Sequence, residues 1–152
     1  MEPLDTIFHR RGGLVSTTEL QRDGLTTVLI DIYERYGALV RARQGWYMPP
    51  GTSETQRMAW QVGGRLTCVS ALAHHGLVAM PRQTHVVLPR YVARSRLRPE
   101  LLTGLVLHWR RVAPPGDRHA VSADEAAAQA LRCQALDADE RRAVAHLAGD
   151  TL

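Results

Sequence analysis

The stretch Gly12–Pro50, GGLVSTTELQRDGLTTVLIDIYERYGALVRARQGWYMPP, contains the clearest structural pattern in the sequence. Ser16 or Thr17 is placed to cap a first helix, Glu19 is placed to close a capping box, and Gly24 is placed to end that helix. Thr26 is placed to cap a second helix two residues later. The first half of the stretch therefore predicts two short helices joined by a tight turn.

A hairpin is predicted directly after the second helix. Gly37 ends the helix, and the segment ALVRAR–QG–WYMPP then gives two short strands with Gly45 in a turn that favours positive φ. Upstream, Leu4, Ile7 and Phe8 have helical spacing, which predicts one more helix before Gly12. Three helices followed by a hairpin predict a winged helix-turn-helix.

The second helix of this unit is predicted to be amphipathic. Its apolar residues recur at steps of three and four, which predicts one buried face: Val28, Leu29, Ile32, Tyr33 and Tyr36. The remaining positions are then expected to point outward: Thr26, Thr27, Ile30, Asp31, Glu34 and Arg35.

These outward residues are candidates for DNA contact, because the major groove admits a helix and displays an unambiguous pattern of donors and acceptors. The base-reading residues would be Thr26, Thr27, Ile30 and Asp31. In the hairpin, Arg41, Arg43 and Gln44 would contact phosphates or enter the minor groove. The alternative is a protein-docking module, since residues 1–50 contain six arginines and six acids.

The length of 152 residues suits one ordinary domain or two very small ones. Hydrophobic residues make up 45% of the chain, which predicts a globular fold. The net charge of +4 favours an anionic partner such as nucleic acid. All nineteen basic residues are arginine. The sequence contains neither a membrane-spanning run nor a signal peptide, so we expect a cytoplasmic protein that does not associate with a membrane.

Pro49, Pro50 and Gly51 interrupt the helical and strand patterns, which predicts a boundary between domains of residues 1–50 and 51–152. The second domain is predicted to be a small mixed α/β domain. It has helical patterns on either side of two strands, at His85–Leu88 and Gly104–Val112. The predicted fold class is α+β, a winged helix-turn-helix packed with this second domain.

The loop between those two strands is rich in arginine. No acidic residue occurs from Thr55 through Pro99. A second surface for DNA or a protein partner is therefore predicted at Arg90, Arg94, Arg96 and Arg98. A solvated loop kept soluble by its charge is an equal alternative.

The sequence resembles the AbiEi-type antitoxin-like regulators of actinobacteria and their phages. The resemblance rests on the segments VSTTEL, GLTT, LVRARQGWYMPPG, GGRLTCVSALAHHGL, THVVLP and VLHWRR, which together extend from about Gly12 to Cys133. It implies a winged helix-turn-helix followed by a small α/β domain. The best understood members of the family repress their own operon and counter a nucleotidyltransferase toxin.

The resemblance also implies where DNA would be contacted. By position, the contacts fall on Thr26, Thr27, Asp31, Arg35, Arg41, Arg43 and Gln44. Many relatives continue into a restriction-endonuclease-like domain, but this sequence stops at Leu152. It also lacks lysine, so the carboxylate and lysine cluster of such a nuclease is not transferred to it.

No catalytic constellation is predicted, and neither a cofactor nor a metal ion is expected. Cys68 and Cys133 are interpreted as small buried residues of a reducing compartment. His74 and His75 are adjacent on a helix and diverge by about 100°, so they do not easily share one ion. His85 and His108 are expected to lie alone in their strands.

The predicted function is a sequence-specific, DNA-binding transcriptional repressor of the antitoxin-like type, whose partner is an operator in double-stranded DNA. One alternative is a protein-interaction module that neutralises a toxin or binds a phage or host protein. A truncated relative of a nuclease is a third possibility. The sequence leaves open the oligomeric state and the existence of a cognate toxin.

Overall fold

The computed structural model describes residues 2–92, 97–133 and 136–150. Within these ranges the protein has eight helices and six strands in two small sheets, so the predicted α+β class is confirmed. The chain divides into two compact units after Gly63. This division lies one helix later than the boundary expected between residues 50 and 51.

The first unit contains four helices and one antiparallel sheet with the strand order β1-β3-β2. In chain order its elements are α1 (Leu4–Arg11), β1 (Val15–Ser16), α2 (Thr17–Arg22), α3 (Thr27–Arg35), β2 (Val40–Arg43), β3 (Trp46–Met48) and α4 (Glu54–Gln61). Each strand is short, so the helices supply much of the packing around the sheet.

Local signals in the sequence fix the ends of these helices. The Ser16 hydroxyl accepts from the Glu19 backbone N–H while the Glu19 carboxylate accepts from the Ser16 N–H, which completes the predicted capping box. The Thr26 hydroxyl caps α3 by accepting from the Leu29 N–H at 3.2 Å. Gly45 has φ +79° in the turn between β2 and β3, which suits glycine.

Two groups of buried side chains form the core of the first unit. The larger group joins α1, α2 and α3 to the sheet and comprises Ile7, Phe8, Val15, Leu20, Leu25, Ile30, Leu39 and Tyr47. The smaller group comprises Leu14, Ala42, Met48 and Trp60. Trp60 lies on α4 and is 1% exposed, so α4 is part of this unit's core.

The second unit contains a three-stranded sheet with the order β4-β5-β6. Its elements are β4 (Arg65–Leu66), α5 (Cys68–His74), β5 (Thr84–Pro89), α6 (Pro99–Leu102), β6 (Leu105–Arg110), α7 (Ala123–Arg132) and α8 (Ala138–Asp150). Strand β5 pairs antiparallel with β4 and parallel with β6. The two strands predicted from the sequence are therefore confirmed as β5 and β6.

Packing in the second unit centres on β5, whose residues Val86 and Leu88 are almost fully buried. Beside it, Gly64 approaches so closely that an added Cβ would lie against Val86 and 2.6 Å from the Val87 carbonyl oxygen. An ion pair between Arg110 and Glu125 joins β6 to α7. Helix α5, which lies between β4 and β5 in sequence, packs against both of these strands and against α7.

Within the described ranges, no helix combines the length and the apolar character that crossing a lipid bilayer demands.

Candidate nucleic-acid interface

The exposed face of helix α3, with its cap, contains four of the five contact residues predicted there. Thr26, Thr27, Asp31 and Arg35 are exposed, and the Thr26 hydroxyl is also the helix cap. The predicted contact at Ile30 is wrong, because this side chain is only 3% exposed and belongs to the core of the first unit.

The predicted buried face of α3 is also partly wrong. Val28, Ile32 and Tyr36 are 68%, 40% and 82% exposed, whereas Leu29 and Tyr33 pack against the core beside Ile30. The segment from Val28 to Tyr33 is apolar at every position except Asp31, so helical spacing alone supports more than one phase. Contacts with α1 and the sheet select the phase that buries Ile30.

Arg41 on strand β2 is exposed beside the C-terminal end of α3. Its guanidinium pairs with the Glu34 carboxylate at 3.2 Å, lies 3.4 Å from the Tyr47 hydroxyl and sits 5.7 Å from the centre of the Tyr47 ring. This ion pair is exposed, so an approaching phosphate can compete with Glu34 for the arginine. Gln44 is exposed in the adjacent turn.

Arg43 does not have the environment expected of a phosphate-binding residue. Its guanidinium donates to the Trp60 carbonyl at 2.7 Å and lies 5.0 Å from the centre of the Trp46 ring. Burial lowers the pKa of this arginine from its usual value. Arg43, predicted with Arg41 and Gln44 to contact phosphates or the minor groove, instead joins the hairpin to the end of α4, whose last carbonyl groups have no partners within the helix.

Ion pairs offset the positive charge of Arg10 and Arg11 at the junction of α1 and α2. Asp23 accepts from Arg11 at 2.8 Å and pairs with Arg10 at 2.9 Å, and Glu19 pairs with Arg11 at 3.4 Å. The Arg11 hydrogen bonds, with a contribution from Arg10, lower the pKa of Asp23 to about 2. These arginines stabilise the junction of α1 and α2 and contribute little net charge for DNA.

The predicted second surface lies in the second unit. Arg90 follows β5 and Arg98 precedes α6, and both are exposed. Arg94 and Arg96 lie outside the described residues.

Sequence reasoning missed one cluster of side chains, in the second unit. The imidazoles of His85 and His108, expected to lie alone, face each other with Nδ1 and Nε2 2.9 Å apart. Cys68 and Cys133 complete the group, whose ligand atoms all lie within 4.8 Å of one another. Burial lowers the pKa of His85 to about 4 and raises that of Cys68 to about 12.

Comparison of the chain with models of protein families and with curated proteins gives no match.

Proposed function

We propose that the first unit is a winged helix-turn-helix that binds double-stranded DNA, and that the protein is a transcriptional repressor of the antitoxin-like type. Helices α2 and α3 would form the helix-turn-helix, and the β2–β3 hairpin would be the wing. The observation that supports this proposal best is the exposure of α3. Thr27 and Val28 at its start, and Asp31, Ile32 and Arg35 further along, are open to solvent, while Ile30 anchors the opposite face in the core.

The exposed face of α3 has suitable chemistry for reading base edges. Thr27 can donate to or accept from a base, Asp31 can accept from the amino group of cytosine, and Arg35 can donate to guanine or to phosphate. Val28 and Ile32 add methyl groups that can contact thymine methyls. Each well-formed polar contact of this kind provides roughly 1–3 kcal/mol of discrimination between bases.

The balanced charge of the first unit predicts that its DNA binding depends more on contacts with bases than on attraction to phosphates. Residues 1–63 contain seven arginines and seven acids, and several of these arginines are engaged in the contacts described above. The exposed candidates for phosphate contact are Arg22, Arg35 and Arg41. These three contacts would contribute roughly −3 to the slope of log K against log salt.

Arg41 and Arg43 provide a matched test, because they lie two residues apart on the same strand. A labelled fragment of the gene's own upstream region should be shifted at nanomolar to sub-micromolar protein. Arg41→Ala should weaken this binding and reduce the magnitude of the salt slope by about 1. Arg43→Ala should leave the slope unchanged and lower the free energy of unfolding by about 1–2 kcal/mol, because it removes the Trp60 and Trp46 contacts.

The exposed residue Arg111 supplies the control for loss of one positive charge outside the residues assigned to DNA contact. Arg111→Ala should bind the same fragment with the same salt slope as the unmodified protein. An unchanged slope and affinity in Arg41→Ala would remove the hairpin from the proposed interface. Failure to shift any upstream fragment, with the chain shown to be folded by circular dichroism, would contradict DNA binding itself.

A protein-interaction module is the second candidate function, and the exposed apolar residues of α3 favour it. Val28, Ile32 and Tyr36 recur at four-residue steps and form a stripe along one side of the helix. Such a stripe can dock in a groove of a toxin or of a phage or host protein. Recovery of one stoichiometric protein partner that Val28→Ser and Tyr36→Ser release, without measurable DNA affinity, would favour this function.

A further inference from the structure

The cluster of Cys68, His85, His108 and Cys133 is assembled from four different elements of the second unit. Cys68 is the first residue of α5, His85 lies on β5, His108 lies on β6 and Cys133 caps the end of α7. Their ligand atoms lie within 4.8 Å of one another. No pair of these residues is close in sequence, so the tertiary fold alone brings them together.

The register of β5 and β6 explains how the two histidines meet. His85 pairs with Val106 and Val87 pairs with His108. Because residues two apart on a strand share a face, both imidazoles project from the same face of the sheet as diagonal neighbours. Their facing atoms, His85 Nδ1 and His108 Nε2, are 2.9 Å apart.

The two cysteines approach the histidines from the helices packed beside the sheet. The Cys68 and Cys133 side chains lie within hydrogen-bonding reach of each other, and the Val69 N–H hydrogen-bonds to the Cys68 sulfur. Cys68 has φ +54°, and it is the one residue other than glycine with positive φ in residues 2–92, 97–133 and 136–150. The fold holds this backbone conformation at the position where the sulfur joins the cluster.

We propose that Cys68, His85, His108 and Cys133 bind one Zn²⁺ ion in a tetrahedral site that ties α5 and α7 to the sheet. Tetrahedral zinc with bonds of about 2.0–2.3 Å requires ligand atoms roughly 3.3–3.8 Å apart, so shifts of about 1 Å would complete the site. Two sulfur and two nitrogen ligands form a set that zinc favours. All four positions come from the protein, as in structural zinc sites.

A two-iron cluster with the same ligand types fits these distances poorly. In such a cluster the cysteine pair and the histidine pair bind different irons, with sulfide ions between them. The 2.9 Å separation of the imidazole nitrogens and the 4.8 Å limit for the whole group leave space for one ion.

Gln129 would orient His108 as an outer-shell residue. Its side-chain amide lies 3.1 Å from His108 Nδ1, on the side of the ring away from the cluster. With zinc on Nε2, Nδ1 carries a proton and needs an acceptor, so the amide must turn to present its oxygen. The turn releases the Arg132 guanidinium from the Gln129 oxygen, and Arg132 is exposed enough to bond to water instead.

Cobalt provides the direct test with the unmodified full chain. The protein is purified under reducing conditions, stripped with a chelator, shown to remain folded by circular dichroism and titrated with Co²⁺. We expect saturation at one equivalent, with the intense visible bands of tetrahedral cobalt and a thiolate charge-transfer band, and complete loss of both on addition of Zn²⁺. Elemental analysis of protein purified without chelator should give one zinc per chain.

Substitutions assign the ligands and the outer shell. Cys133→Ser should abolish the charge-transfer bands or weaken them strongly. Gln129→Ala should lower the zinc affinity measured by chelator competition roughly 10- to 100-fold, because it removes the acceptor for His108. His74→Gln, on α5, is the control and should leave the affinity unchanged.

Three outcomes would overturn the proposal. The first is a folded, reduced chain that binds no stoichiometric Co²⁺. The second is a six-coordinate spectrum without thiolate bands, and the third is a Cys68–Cys133 disulfide that persists in reductant. If Cys133→Ser does not fold, the cobalt spectrum of the unmodified chain and the Gln129→Ala affinity still decide the question.

Discussion

The Asp23 carboxylate links the C-terminal ends of α1 and α2 through ion pairs with Arg10 and Arg11. The hydrogen bonds from Arg11 and the contact with Arg10 hold its pKa at about 2, below the ordinary value of 3.8. A carboxyl group with a lowered pKa in the folded state stabilises the protein above its unfolded value, and that stabilisation disappears as the pH falls through the folded value. The window for this site is therefore from 3.8 down to about 2.

Asp23→Asn should accordingly destabilise the protein near neutral pH and make no difference in strong acid. We expect a decrease of a few degrees in Tm, a modest effect because Arg10 remains partly exposed to solvent. Urea unfolding of both proteins across the acid range measures the effect. Asp5→Asn, exposed on α1, controls for the loss of a negative charge. A difference that persists below the folded pKa would show that Asp23 acts through packing instead.

At the scale of the element, α3 shows what its sequence could and could not specify. The cap at Thr26 and the end near Gly37 were predictable because they depend on local hydrogen bonding and backbone conformation. The buried face was not. Apolar side chains of α3 occur around most of the helix circumference. Whether Ile30 or Val28 is buried depends on Phe8 and the other core residues, which come from distant parts of the chain.

Ile30 and Ile32 give a matched pair that tests this orientation. Ile30→Ala should lower the free energy of unfolding by about 2–5 kcal/mol, because it leaves a cavity in the core. Ile32→Ala, at a side chain 40% exposed, should cost well under half as much. If the exposed face reads DNA, Ile32→Ala should weaken binding to the upstream fragment while the protein stays folded. Chemical denaturation and gel shift separate the two effects, and equal destabilisation by both changes would contradict the orientation of α3.

At the scale of the molecule, the cysteine and histidine cluster shows why tertiary sites escape sequence patterns. The strands containing His85 and His108 were predictable from their β-branched residues, but the parallel pairing that makes the histidines neighbours was not. Closely spaced ligand pairs are the signal by which zinc sites are recognised in sequences. Here each ligand comes from a different element, and only the assembled sheet and helices bring the four together.

Charge is distributed unequally between the two units, and this difference predicts which unit contributes more to nonspecific DNA binding. Residues 1–63 contain equal numbers of arginines and acids, whereas residues 64–152 contain twelve arginines and eight acids, so the second unit carries the whole net charge of +4. Nonspecific affinity for DNA follows the number of phosphates neutralised. The second unit should therefore supply most of the nonspecific binding, through Arg90 and Arg98.

A fragment of residues 1–63 should bind unrelated duplex DNA more weakly than the full chain and with a shallower salt slope. It should retain its preference for the upstream fragment, because base contacts are assigned to α3. Arg90→Ala with Arg98→Ala in the full chain should move the slope toward that of the fragment by about 1 for each phosphate that is no longer neutralised. Fluorescence anisotropy over a series of salt concentrations measures all three proteins. Identical slopes for fragment and full chain would mean that these arginines do not bind DNA, and would favour a protein partner for the second unit.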